Sequence, residues 1–243
     1  MKSLAILLLS AASLFGHAGH KHLATTEMAN AASTFLKSLD EAQSKAAKFE
    51  FKNDERENWH FVPMVRKGVR FGTLKPHQQH LAFGLLSSGL SQKGLLTATQ
   101  IMTLEQILAD RGGDPELRNT EKYYIAIFGA PSGNQPWGWR FEGHHLSLNF
   151  TVIGNRVTGV PAFFGTNPAE LKKGPMKGMR PLGQIEDASR ALAVKLKTAG
   201  KSPVFSDKAP KEIFTAQDRI AKPQEARGVV SSKLSDDELT ELL

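Results

Sequence analysis

Apolar residues recur at helical spacing from Thr25 to Phe49, at Met28, Ala32, Phe35, Leu39, Ala42, Ala46 and Phe49, in a stretch rich in alanine and free of proline. That spacing predicts one long helix whose stripe faces a core. A charged connector, Asn53 to Asn58, follows, and Trp59-His60-Phe61-Val62-Pro63 reads as a short extended piece, because the residue before a proline is pushed out of the helical region. Thr73-Leu74-Lys75-Pro76 signals a second helix start, with Leu81, Leu85 and Leu86 as its stripe and Gly89 as its end. A third helix is expected from Leu95 to Ala109, with Ile101, Leu104, Ile107 and Leu108 facing inward and Arg111-Gly112-Gly113 as the stop.

The pattern then changes period. Tyr123 to Gly129 is aromatic and β-branched, and strands are expected there, from Arg140 to Val152 and from Val157 to Phe164. Gly154-Asn155 reads as the tight turn of an antiparallel hairpin. Glycine and proline make Gly165 to Pro181 a loop, Gly183 to Leu196 returns to helical spacing, and Ser235-x-x-Glu238 opens a last helix. The expected class is α+β, N-terminal helices packed on an antiparallel β-sheet meander.

Composition narrows the function. With 243 residues, 40% hydrophobic and 23% charged, the chain is of ordinary globular type. Met1-Lys2-Ser3, an apolar run from Leu4 to Phe15 and Gly16-His17-Ala18 have the three regions of a secretory signal, so residues 1–18 are expected to be removed, 19–243 to form a single domain, and the product to be secreted or periplasmic. No stretch suits a membrane span. The zero cysteines exclude disulfides, thiolate metal sites and a cysteine nucleophile. A net charge of +7 raises nucleic acid, but the basic residues are scattered and an exported protein rarely meets it, so no nucleic-acid partner is expected. Gly19-His20-Lys21-His22 would form a copper-chelating terminus after processing, or simply an unstructured one.

Candidate chemistry gathers in Trp137-Gly138-Trp139-Arg140-Phe141-Glu142-Gly143-His144-His145, which holds two of three tryptophans and two of eight histidines. Read as one strand, it puts Arg140, Glu142 and His144 on one face and Trp139, Phe141, His145, Ser147 and Asn149 on the other. Glu142 suits a metal ligand or proton acceptor, and Arg140 suits an anionic substrate group. His77 and His80, three apart on the second helix, share a helical face. Together with His144 or His145, and with Glu142 or Glu105 completing the set, they make an adequate ligand group for zinc, copper or iron. Histidines bonded only to backbone carbonyls are the competing possibility. Trp137, Trp139 and Asn149 suit a small-molecule or carbohydrate ligand stacked on an aromatic platform, or else core packing. There is no Gly-x-Ser-x-Gly elbow, phosphate-binding loop or His-Glu-x-x-His helix.

Trp137 to Phe150, with Tyr123 to Gly129 before it and Pro161-Ala162-Phe163-Phe164-Gly165 after it, resembles the exported bacterial and fungal proteins grouped as the domain of unknown function DUF3500. Arg66-Lys67-Gly68 and Gln79 to Leu90 fit the same pattern, and Gly143-His144-His145-Leu146-Ser147 is its most specific part. The resemblance implies no established activity. It does imply that similar proteins continue past Leu243 with a His-x-His element, so the chain is expected to be truncated at its C-terminus and its metal site to be partial. Two functions stay open: a histidine-ligated metal enzyme acting on a small or polysaccharide-derived substrate, or a non-catalytic extracytoplasmic ligand-binding domain.

Overall fold

The structure, a computed structural model, describes residues 24–132, 135–201, 213, 215, 218–220 and 228–242. The expected signal sequence, residues 1–18, and the expected chelator from Gly19 to His22 fall outside them. Six helices and a seven-stranded sheet are present among these residues, as an α+β arrangement.

The long first helix divides in two, α1 (Ala24–Ser38) and α2 (Glu41–Ala47). Asp40 is the cause. Its carboxylate accepts from the Gln43 backbone while the Gln43 side chain accepts from the Asp40 N–H, a reciprocal cap that starts a new helix where the apolar stripe alone suggests continuity. Lys48–Phe49, the expected end of that helix, is instead strand β1. The other helices follow expectation: α3 (Pro76–Gly89), α4 (Gln92–Asp110), α5 (Gly183–Thr198) and α6 (Asp236–Leu242). No helix among the described residues is long and apolar enough to cross a membrane.

Strands β2 (Val69–Arg70), β3 (Tyr124–Phe128), β4 (Trp137–Gly143), β5 (Leu146–Ile153), β6 (Arg156–Thr158) and β7 (Ala162–Phe164) complete the sheet. β3, β4, β5 and β6 form the antiparallel meander, β7 also pairs with β5, and β1 departs from the expectation by lying parallel to β3.

The stretch from Arg140 to Val152 is not one strand but the two arms of a hairpin. Gly143 pairs with Leu146, so His144 and His145 are the whole turn. This reversal reassigns the faces. Trp139 lies opposite Phe150 and Phe141 opposite Leu148, while Arg140 lies opposite Asn149 and Glu142 opposite Ser147. Directly opposed residues share a face. Ser147 and Asn149 therefore join Arg140 and Glu142 rather than the aromatic side.

The aromatic face is the core. Trp137, Trp139, Phe141, Leu148 and Phe150 meet Met28, Ala32 and Phe35 of α1, Leu85 and Leu86 of α3, and Ala98 and Ile101 of α4. Each leucine, isoleucine, phenylalanine or methionine among them contributes roughly 1.5–3 kcal/mol when fully buried. The opposite face is closed by the irregular segment between β1 and β2, through Glu55, Trp59, Phe61 and Arg66, so β4 is buried along its whole length on both sides.

Candidate metal centre

Two buried polar groups sit close together near the hairpin tip, and their chemistry differs. The first is the Arg140/Glu142 face. Glu142 is 0% exposed; its Oε1 accepts from Arg66 Nε at 2.8 Å, and its Oε2 accepts from Ser147 Oγ at 2.6 Å and the His60 N–H at 2.8 Å. Arg140 donates to Glu55 Oε1 at 2.6 Å and to the carbonyls of Glu55 and Asn58. Arg66 donates further to the carbonyls of Val62, Met64 and Gly143. Burial pulls the Arg66 pKa below its usual value, and Glu142 opposes this.

Both carboxylate oxygens and both guanidinium groups are thus committed to partners that hold the covering segment against the sheet. Paired and hydrogen-bonded, the charges are tolerable in the interior. The expected roles of Glu142 as ligand or proton acceptor and of Arg140 as substrate anchor do not fit side chains so occupied. The Asn149 amide nitrogen donates to Ser147 Oγ at 3.1 Å and to the Pro161 carbonyl at 2.9 Å, while its Oδ1 is buried with no partner.

The second group is the tip itself. His144 leaves the β4 arm and His145 takes φ +60°, the left-handed region that a non-glycine residue enters at a cost of about 1–2 kcal/mol. The turn is held by its backbone. The His145 N–H donates to the Phe61 carbonyl at 2.8 Å, the Gly165 N–H donates to the His145 carbonyl at 2.8 Å, and Tyr123 Oη donates to the His144 carbonyl at 2.9 Å. Gly143 is required because a Cβ there would meet the Tyr123 ring at 2.3 Å. The outcome is that the two imidazoles, expected on opposite faces of a strand, stack with ring centroids 3.7 Å apart.

Glu105 of α4 reaches them. Ala98, Ile101 and Glu105 follow one another at helical spacing on the buried side of α4, so a carboxylate ends an otherwise apolar stripe. Glu105 is 1% exposed; its Oε1 lies 2.7 Å from His144 Nδ1, and its Oε2 is buried with no hydrogen-bond partner. Ligand atoms from Glu105, His144 and His145 all lie within 4.8 Å of one another, the one such group among the described residues. Burial, with His144 and Arg118 nearby, pushes the His145 pKa down to about 4, which keeps that ring in the neutral, metal-binding form at neutral pH.

Arg118, in the loop after α4, completes the surroundings. Its Nη1 is 2.9 Å from His144 Nδ1 and 3.6 Å from Glu105 Oε1. A single ring nitrogen can donate to the carboxylate or accept from the guanidinium, not both, so one of these close approaches is always unsatisfied. A pocket of about 110 Å³, lined by Pro63, Met64, Leu117, Asn119 and Lys122 among others, abuts His144.

The remaining expected site residues lie elsewhere. His77 and His80 are exposed on α3 and do not belong to the group of converging ligands. Trp137 and Trp139 are 0% and 1% exposed and make no platform; Trp139 stacks on Phe150 inside the core at 4.3 Å. Arg118, Arg66 and Glu55 were not singled out as site residues by the sequence. Of these only Arg66 had any signal, as part of the family-like Arg66-Lys67-Gly68.

No curated protein and no solved structure matches the chain. The family described as "Protein of unknown function (DUF3500)" matches residues 21–243, nearly the whole chain, and the protein belongs to that family.

Proposed function

We propose that this protein binds a divalent transition metal through Glu105, His144 and His145 and uses it on a small ligand admitted through the pocket beside His144. The observation that carries the reading is the Glu105 carboxylate: buried, shared with one imidazole, within reach of the second, and left with one oxygen unpartnered. An unpaired buried carboxylate oxygen is costly, and a cation shared with two imidazoles removes that cost. Two histidines and one carboxylate suit zinc, copper or iron and leave coordination positions open, as a catalytic rather than a structural site requires. A metal so held polarises a bound oxygen or lowers the pKa of a bound water. Closing three donors on one ion asks the stacked rings, now tilted by 27°, to open toward each other's ring planes.

Export belongs to the same proposal, supported by the composition of residues 1–18 alone. The test is the metal content of the full chain purified without an affinity tag. We expect a stoichiometric transition metal in the native protein and its loss in Glu105→Gln, with circular dichroism unchanged. A native protein that carries none, and gains no thermal stability from zinc, copper or iron, overturns the reading.

A further inference from the structure

The position of Arg118 is at odds with a bare metal ion. Its Nη1 lies within 3.4 Å of both ring nitrogens of His144 and 3.6 Å from Glu105 Oε1, so a fixed positive charge borders the place where the ligand atoms converge. The formal charges do not balance once a metal enters. A divalent ion and Arg118 bring three positive charges, Glu105 brings one negative, and the two imidazoles are neutral ligands. The other nearby acids are already committed, Glu142 to Arg66 at 2.8 Å and Glu116 to Lys122 at 3.0 Å. Yet Arg118 is not enclosed. Its side chain is 24% exposed, on the segment that also walls the pocket against His144, where Leu117, Asn119 and Lys122 contribute lining. A partly exposed planar guanidinium at the rim of a metal site is a bidentate receptor for an oxyanion.

We propose that this site takes its metal together with a small oxyanion, one oxygen on the metal and the others on the Arg118 guanidinium, so that the ligand class is a short carboxylate or a free phosphate. This rests on the metal-binding reading above and adds to it the partner that neutralises the site. Without an anion, Arg118 repels the metal. With one, the same side chain becomes a second point of attachment, so anion and metal strengthen each other's binding.

The experiment is a cobalt(II) titration of the full chain, followed by visible absorption at buffered free metal, alone and with acetate or inorganic phosphate. In the native protein we expect one of the two anions to tighten cobalt binding by roughly tenfold or more, and that anion assigns the carboxylate or the phosphate class. In Arg118→Gln, cobalt alone should bind as well as in the native protein or better, and the anion effect should vanish; Arg118→Lys should keep part of it. A merely structural Arg118 would change stability without touching the coupling. No cobalt bound by the native protein removes the metal reading and this inference together. Cobalt bound with an affinity indifferent to both anions, or an anion effect that survives in Arg118→Gln, overturns this inference alone.

Discussion

Glu142 and Glu105 are both buried glutamates, and their surroundings give them different work. Glu142 has both oxygens answered by Arg66, Ser147 and the His60 N–H, whereas Glu105 keeps one oxygen with no donor. Removing the negative charge of Glu142 strands Arg66, whose side chain is 2% exposed. Glu142→Gln is therefore expected to cost about 3 kcal/mol of unfolding free energy, measured by urea denaturation. Glu105→Gln should cost far less in the metal-free protein while abolishing metal binding, because the amide keeps the volume but loses the anionic donor. Equal destabilisation by the two substitutions would remove the distinction between a structural and a ligating carboxylate.

At the scale of elements, the hairpin tip carries strain in exchange for position. His145→Gly releases the φ +60° strain and loses the ring, so the metal-free variant should stay within about 1 kcal/mol of the parent by thermal unfolding. Metal affinity in the same variant should fall at least roughly tenfold. Much of the element order was legible in the sequence: α3 from Lys75-Pro76, α4 from its Gly112-Gly113 stop, α6 from Ser235 and Glu238, β3 from its aromatic and β-branched run. The reversal at His144 and His145 was not, since neither residue belongs to the usual turn set and each arm alternates apolar with polar residues as one strand does. The signal was a slip of phase. Apolar side chains occupy odd positions through Phe141 and even positions from Leu146, which is what a two-residue reversal leaves when both arms face one core. The site was legible only in part for the same reason: His144 and His145 stand out, but their pairing depends on that turn. Of the two carboxylates able to complete the ligand set, Glu105 is distinguished by ending the buried stripe of α4. Arg118 depends on how a loop folds back, which no periodicity encodes.

At the scale of the molecule, the sheet is closed on one side by helices and on the other by a segment with little regular structure of its own. Residues 50–68 hold no strand ladder along β4; instead Arg66 and Arg140 donate to the carbonyls of Glu55, Asn58, Val62 and Met64 and substitute for one. Irregular backbone rich in lysine and arginine is ordinarily the first place trypsin cuts. At the bond after Arg66, unlike those after the exposed Lys52 and Lys67, the enzyme's specificity pocket needs a side chain that the protein does not release, because the Arg66 guanidinium can reach a protease only after leaving Glu142. Limited digestion of the native protein should spare the bond after Arg66 for as long as the fold persists, and Glu142→Gln should open it. Mass spectrometry of the fragments reads the difference. Arg66, one of the two arginines that stand in for a missing strand, thus makes the resistance of its own peptide bond a gauge of whether the buried charge network is intact.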